Sequence, residues 1–329
     1  MDYGRYLKEI ARGPHGARGL SRDDAQSLWA SLLAGDAPEA VVGAVLVALR
    51  VKSESIDELA GFLAACEATC TKVDAPAGRP RVLSLPSYNG ARNQANLVPL
   101  LALLAGRLGW PTLVHGVSRD PKRVTSAEIF SALGLGPARD ARDAGRRLAA
   151  DGVAFIPIER LAPAVHRLLE YRWLLGVRNS AHTLAKMLDP VTGGALRMVS
   201  VTHPEYLQQM RGFFTAHPAP ALLMRGCEGE PVANPRRCPQ IDWLHDGACE
   251  TLAAAETGTV VLPEAPAAID AASTARWIER VFAGVAPVPR ALVRQLACVG
   301  IAQGLLHGSL AAAERAVGEA LADAIEVAA

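Results

Sequence analysis

The chain has 329 residues, of which 50% are hydrophobic and 20% are charged, and its formal net charge is +1. This composition is typical of a soluble globular protein, and the length allows one large or two ordinary domains. No uninterrupted apolar run reaches the roughly 18 residues of a membrane span, and the six cysteines form no CxxC pair indicative of zinc or a disulfide framework. We therefore expect a cytoplasmic protein with no membrane association, no metal and no cofactor.

The first part of the chain has only helical periodicity. Residues 2–13 and 21–34 predict two helices, Pro38 begins a third, and Ser53 or Ser55 caps a fourth that runs to Cys70. A linker rich in proline and alanine follows at 74–80. Residues 1–75 are thus predicted to form a helical dimerisation domain. The helical segment 162–190 is a candidate to pack with this domain.

After the linker, strand patterns alternate with helix patterns through residues 76–329. The predicted strands lie at 82–85, 112–115, 153–158, 196–201, 220–225 and 260–262. The predicted helices lie at 97–108, 126–133, 162–188, 204–214, 271–284, 288–306 and 309–327. This alternation predicts an α/β fold in which a small N-terminal helical domain precedes a large domain built on a central, mostly parallel sheet.

Basic residues concentrate in the middle of the chain. Residues 79–123 hold seven basic groups and one acid, whereas residues 238–329 hold five arginines and eleven acids. Ligands of parallel sheets bind beyond the carboxyl ends of the strands, which gathers the loops at 86–93, 115–125, 158–163 and 225–237 on one edge. Three of these loops are basic, which points to a local anionic partner, and ordinary solvated faces are the equally weighted alternative.

The junction at 81–97 has the position of a phosphate loop but not its composition. A buried strand, a polar turn and an apolar helix start follow one another there, as in many phosphate sites. Such loops are normally rich in glycine, because glycine lets the backbone approach the phosphate closely. The loop of this chain contains a single glycine, Gly90, and it also contains Pro86, Tyr88 and Arg92.

Three motifs together resemble the anthranilate phosphoribosyltransferase and class II nucleoside phosphorylase family. They are the strand end Val114-His115-Gly116, the helix 125–134 and the segment 175–190. The resemblance spans nearly the whole chain and implies that family's fold. The family's glycine loop for a sugar phosphate is replaced at 84–88, its asparagine after the His-Gly pair is Val117, and its Mg²⁺-binding acidic pair appears only as Glu228-Gly229-Glu230.

The segments 178–186 and 228–237 resemble a divergent branch of that family, described as binding nucleic acid without sequence specificity. The resemblance implies a homodimer through the helical domain and a long basic groove. The residues predicted to contact DNA or another nucleic acid through its phosphates are Arg92, Arg119, Lys122, Arg123, Arg178, Lys186, Arg225, Arg236 and Arg237. The residues predicted to line the cleft are Ser87, Tyr88, Asn89, Gly90, Asn93, His115, His182, Glu228 and Glu230.

No catalytic residue is predicted. Arg178 and Lys186 are expected on one face of a helix, with His182 between them in a hydrogen-bonding role. Tyr88 is either a stacking platform for a base or a packing residue. In an extended loop the side chains of Glu228 and Glu230 would point apart, which argues against a diphosphate–magnesium site. A transferase with an atypical donor site and a binder of a smaller anion are the alternatives, and the choice between DNA and RNA is open.

Overall fold

The structure, a computed structural model, describes residues 1–13, 15–258 and 266–326. The chain divides into two compact units. The first comprises Met1–Thr71 and Ile158–Pro190, and the second comprises Lys72–Pro157 and the described residues from Val191 onward. The strand expected at 260–262 lies outside the described residues.

The helices are α1 Tyr3–Ile10, α2 Arg22–Ala34, α3 Glu39–Lys52, α4 Ile56–Thr69, α5 Val98–Arg107, α6 Ser126–Ala132, α7 Ala141–Asp151, α8 Ile158–Leu161, α9 Pro163–Leu175, α10 Ser180–Met187, α11 Pro204–Ala216, α12 Ala271–Phe282, α13 Arg290–Ala302 and α14 Leu310–Glu326. The strands are β1 Leu83–Ser87, β2 Thr112–Gly116, β3 Val153–Pro157, β4 Leu196–Val201, β5 Ala221–Arg225, β6 Ile241–His245 and β7 Ala248–Ala253. Among the described residues, no helix combines the length and apolarity needed to cross a membrane.

In the helical unit, side-chain caps set where the helices begin. The Ser21 hydroxyl accepts the N–H of Asp24 at the start of α2, and Ser55 forms a capping box with Glu58 at the start of α4. These two helices approach closely at Gly61, where a Cβ atom would collide with the backbone of α2. The rings of Trp29 and Phe62 then meet at 4.6 Å between centroids in the core of the unit.

The expected helix over 162–188 is two helices, which corrects the prediction. Helix α9 stops at Gly176, whose φ of 72° is left-handed, and Asn179 caps the separate helix α10 by accepting the N–H of Ala181. Arg178 therefore precedes α10 and does not share a helix with Lys186, so the expected common face does not exist.

The second unit is built on a seven-stranded sheet of order β3-β2-β1-β4-β5-β6-β7. The first five strands in that order are parallel, and β6 and β7 are antiparallel, so the predicted mostly parallel α/β fold is confirmed. Every residue of β1, β2 and β4 is buried, as expected of strands covered by helices on both faces. The carboxyl ends of β1, β2 and β5 bring their three loops to one edge.

The sequence did not predict two elements of this unit. One is α7, which Asp140 caps. The other is the β6–β7 hairpin, whose two-residue turn Asp246-Gly247 has φ angles of 49° and 78°. An Asp-Gly pair between apolar runs is a strong hairpin signal, because both turn residues need positive φ.

Candidate functional site: an N–H cradle at the sheet edge

After β1 the chain turns so that backbone N–H groups point toward a carboxylate from a distant loop. The carboxylate of Glu230 accepts the N–H of Asn89 at 2.6 Å and that of Gly90 at 2.8 Å. It also accepts a short hydrogen bond from the hydroxyl of Ser87. Glu230 is only 1% exposed, so this is a buried charge held by several donors, as burial of a charge requires.

A second carboxylate binds the next part of the same loop. Glu228 accepts the N–H groups of Arg92 at 3.2 Å, Asn93 at 2.9 Å and Gln94 at 3.3 Å. The side-chain amide of Asn93 also donates to it at 3.2 Å, and the guanidinium of Arg123 lies 3.5 Å away. We call the five N–H groups of residues 89, 90, 92, 93 and 94 the N–H cradle.

The two carboxylates reach the cradle because Cys227–Glu230 is a tight turn, here called the glutamate turn. The N–H of Glu230 donates to the carbonyl of Cys227 at 2.9 Å, and Glu228 and Gly229 have φ angles of 53° and 85°. A Cβ atom on Gly229 would collide with the side chain of Asn89. The prediction that the carboxylates point apart is therefore wrong, because the loop is not extended.

His115 and Tyr88 are core residues and do not line an open cleft. The Nδ1 atom of His115 lies 2.7 Å from the Tyr88 hydroxyl, and its Nε2 atom lies 3.1 Å from the hydroxyl of Ser84. Burial lowers the pKa of His115 to about 3. Tyr88 is 1% exposed, so its ring has no free face for a base, and the stacking alternative is corrected in favour of packing.

Most of the sheet-edge residues that were predicted to contact phosphate have exposed side chains. Six of these side chains are exposed and have no carboxylate partner within the described ranges: Arg92, Arg119, Lys122, Arg225, Arg236 and Arg237. Arg123 differs, because it is half-buried, faces Glu228 and donates to the carbonyl of Gly90 at 3.2 Å. The loops after β1 and β2 are also tied together by reciprocal backbone hydrogen bonds between Ala91 and Val124.

The remaining predicted residues belong to the helical unit. His182 completes the cap of α10, where its Nδ1 atom accepts the N–H of Asn179 at 3.3 Å. Burial, followed by the charges of Arg178 and Arg172, lowers the pKa of His182 well below its ordinary value. Lys186 is 9% exposed, unlike the six exposed cations of the sheet edge, and its contact with phosphate stays a prediction.

Comparison with known proteins identifies the family. Residues 5–70 match the helical bundle domain of a glycosyl transferase family. The chain is 45% identical to the uncharacterized protein YbiB of Escherichia coli strain K12 over 307 residues, which cover 92% of this chain and 95% of YbiB.

The chain belongs to the YbiB family.

The YbiB family is related to the anthranilate phosphoribosyltransferases. This chain is 27% identical to the anthranilate phosphoribosyltransferase of Methylocella silvestris over 70% of this chain and 65% of the enzyme. The structure of anthranilate phosphoribosyltransferase (TrpD) from Thermus thermophilus matches with a TM-score of 0.75 and 22% identity, covering 99% of this chain and 96% of that one. The Saccharomyces cerevisiae enzyme in complex with PRPP and Mg matches with a TM-score of 0.72 at 16% identity, covering 99% and 94%. The resemblance expected from the motifs is confirmed.

The residues of this chain do not fit a magnesium-bound sugar diphosphate at the cradle. The N–H groups that a phosphate would need are bonded to Glu228 and Glu230, and both carboxylates are already engaged by these donors. No group of three His, Cys, Asp or Glu side chains within the described residues is arranged to hold a metal ion.

The pairing of the glutamate turn with the N–H cradle was missed from the sequence. The signal available was a Glu-Gly-Glu motif directly after a buried strand, in a loop expected at the same sheet edge as residues 86–93. Glycine between two acids permits a positive φ and hence a tight turn. The partners of the acids, more than 130 residues away, had no local signal.

Proposed function

We propose that this protein binds nucleic acid through its phosphates, without sequence preference, on a phosphoribosyltransferase-like fold. The observation that carries the proposal is the set of six exposed cations at the end of β5 and on the loops after β1, β2 and β5, which have no carboxylate partner in the described chain. Unpaired arginines and lysines along one edge suit a polyanion whose charges repeat along its length. Sequence is read by base contacts, and phosphate contacts carry no sequence information.

The loop at 234–237 is the part best prepared for this role. Arg236 and Arg237 are adjacent and exposed, and they lie between Pro235 and Pro239. The N–H of Arg236 is held by the side chain of Asn234 at 3.0 Å. A constrained loop loses little entropy when it engages a partner, and two forked guanidinium groups can each bind a phosphate bidentately.

The salt dependence of binding tests the proposal. If all six cations contact phosphates, the slope of log K against log[salt] is about −5 per chain, at roughly −0.9 per contact on duplex DNA. Fluorescence anisotropy on single- and double-stranded DNA and RNA, at several salt concentrations, measures this slope. A slope near zero on every nucleic acid contradicts the proposal.

A double variant assigns the contacts. We expect Arg236→Ala with Arg237→Ala to make the slope shallower by about two, or one per lost contact. The matched control is Arg146→Ala with Arg147→Ala, because these adjacent arginines of α7 both pair with Asp143. The control should leave the slope unchanged, and an unchanged slope in the first variant removes that pair from the interface.

We also propose that two copies associate through the helical unit. Five large apolar side chains there are exposed: Val47 and Val51 on α3, Trp173 and Leu174 on α9, and Val177 after it. The side chain of Leu175 lies next to Gly43, so the exposed parts of α3 and α9 adjoin. Exposed apolar surface of this kind marks interaction sites, and a second copy would double the number of phosphate contacts on one polymer.

Light scattering tests the association. The wild type should have the mass of a dimer, and Val51→Asp, which places a charge in the exposed apolar surface, should shift it to the monomer. Leu305→Asp is the control, because Leu305 is 39% exposed but belongs to the other unit. A monomeric wild type, or a dimer unaffected by Val51→Asp, contradicts this arrangement.

A pentosyltransferase of the anthranilate phosphoribosyltransferase type is the second candidate function. It is favoured by the match over nearly the whole chain to the yeast enzyme whose structure contains PRPP and Mg. Titration calorimetry with phosphoribosyl pyrophosphate and Mg²⁺ separates the two functions. Micromolar binding would favour the transferase, whereas we expect no binding, because the chain's own carboxylates occupy the cradle.

A further inference from the structure

Three of the five N–H groups of the cradle converge on one oxygen atom. The N–H groups of Arg92, Asn93 and Gln94 all donate to Oε1 of Glu228, at distances of 3.2, 2.9 and 3.3 Å. The side chains of Asn93 and Arg123 approach Oε2 at 3.2 and 3.5 Å. Successive N–H groups that converge in this way form an anion-binding concavity, which phosphate groups commonly fill.

Glu228, whose carboxylate fills this concavity, has an unusual backbone conformation. Glu228 has a φ of 53°, one of three positive-φ residues other than glycine among those described. L-residues with a Cβ atom seldom adopt this conformation, and it persists only where other contacts hold it. Here the contacts are the hydrogen bonds of the carboxylate, so strain in the glutamate turn opposes the bonds that seat Glu228.

The two glutamates of the turn differ in their access to solvent. Glu230 is 1% exposed, whereas the side chain of Glu228 is 11% exposed. The guanidinium of Arg123, which is half-buried, lies 3.5 Å from the Glu228 carboxylate. Withdrawal of Glu228 would therefore free three backbone donors, the amide of Asn93 and the guanidinium of Arg123, which together carry a net positive charge.

We propose that the N–H groups of Arg92, Asn93 and Gln94 form a phosphate-binding site that Glu228 occupies from within the chain. An external phosphate dianion and the Glu228 carboxylate compete for the same donors. The site is closed while the glutamate turn is seated and accepts phosphate when the turn withdraws. This proposal does not rest on nucleic-acid binding, which uses the exposed cations.

The test is phosphate binding by Glu228→Ala, with inorganic phosphate as the probe and chloride at matched ionic strength as the reference. We expect at least tenfold tighter phosphate binding than in the wild type, measured by calorimetry. In ¹H–¹⁵N spectra the amide signals of residues 92–94 should shift. Glu256→Ala is the matched control, because Glu256 also pairs with an arginine, Arg294, and accepts one backbone N–H, that of Cys238.

A second variant covers a failure of Glu228→Ala to fold. Glu228→Gln keeps the length of the side chain but removes its charge, and it should bind phosphate more tightly than the wild type by at least threefold. Equal affinity in the wild type, the Glu228 variants and the control would place phosphate on the exposed arginines and overturn the proposal. Tighter binding without shifts at residues 92–94 would also overturn it.

Discussion

The buried imidazole of His115 should make the second unit sensitive to acid. In the folded chain this ring is fully buried between Tyr88 and Ser84. Burial disfavours the charged form and lowers the pKa of His115 to about 3 from an ordinary value of 6.5. The unfolded chain, in which the ring is in water, therefore binds a proton at a pH where the folded chain does not.

The magnitude follows from these two pKa values. The stabilisation that the neutral ring contributes is fully present above pH 6.5, and it is lost as the pH falls from there toward 3. Each pH unit within that window removes about 1.4 kcal/mol. Lowering the pH from 7 to 5 should therefore reduce the free energy of unfolding by about 2 kcal/mol through His115 alone.

Urea denaturation at a series of pH values measures this loss. The informative variant is His115→Gln, which keeps hydrogen-bonding atoms near Tyr88 and Ser84 but does not titrate. Its loss of stability between pH 7 and pH 5 should be about 2 kcal/mol smaller than that of the wild type. His307→Gln changes an exposed histidine and should keep the wild-type pH dependence.

Two results would refute the reasoning. One is a wild-type stability that does not change between pH 7 and pH 5. The other is a His115→Gln variant with the same pH dependence as the wild type. Asp143 does not confound the measurement, because the hydrogen bond from the Arg139 N–H lowers its pKa to about 2. The stability that the Asp143 carboxylate contributes to the folded chain is present above pH 3.8 and is lost only below that pH.

Three further predictions concern the cradle and the core. Glu230→Ala should lower the free energy of unfolding by about 2–6 kcal/mol in urea titration, because it leaves two buried N–H groups without an acceptor at roughly 1–3 kcal/mol each; a loss below 1 kcal/mol would contradict the role of Glu230. Gly116→Ala should cost more than about 2 kcal/mol in the same assay, since its Cβ would collide with the carbonyl of Ser87 on the paired strand, and a neutral effect would contradict the close approach. Iodoacetamide should label the exposed Cys249 first in the native protein, because the other cysteines are buried and burial raises the pKa of thiols such as Cys66 to about 12. Mass spectrometry locates the label, and equal labelling of a second cysteine would refute this prediction.

Local signals predicted the architecture well. The caps Ser21 and Ser55, the apolar strand cores and the regular alternation of elements were sufficient for the two-part α/β fold. The spacing of three motifs was sufficient for the family. The break at Gly176 was missed because apolar spacing continues across it, and the β6–β7 hairpin was missed although Asp246-Gly247 signalled it.

The candidate site was predicted only in its location. The sequence placed the basic loops at one edge of the sheet, because the carboxyl ends of parallel strands share an edge. It could not show which charges were already paired. Arg123 and Arg92 look alike in the sequence, yet one faces Glu228 and the other has no carboxylate partner among the described residues.

The sequence by itself determined most of the elements, the fold class and the absence of a glycine-rich phosphate loop, because these depend on residues close together in the chain. Only the tertiary structure decided that the loop is filled by Glu228 and Glu230, which lie more than 130 residues further along. Likewise, only the packing decided that Tyr88 and Lys186 are buried. Hydrogen bonds and burial between distant segments depend on how strands are ordered in the sheet, which no local pattern in the chain encodes.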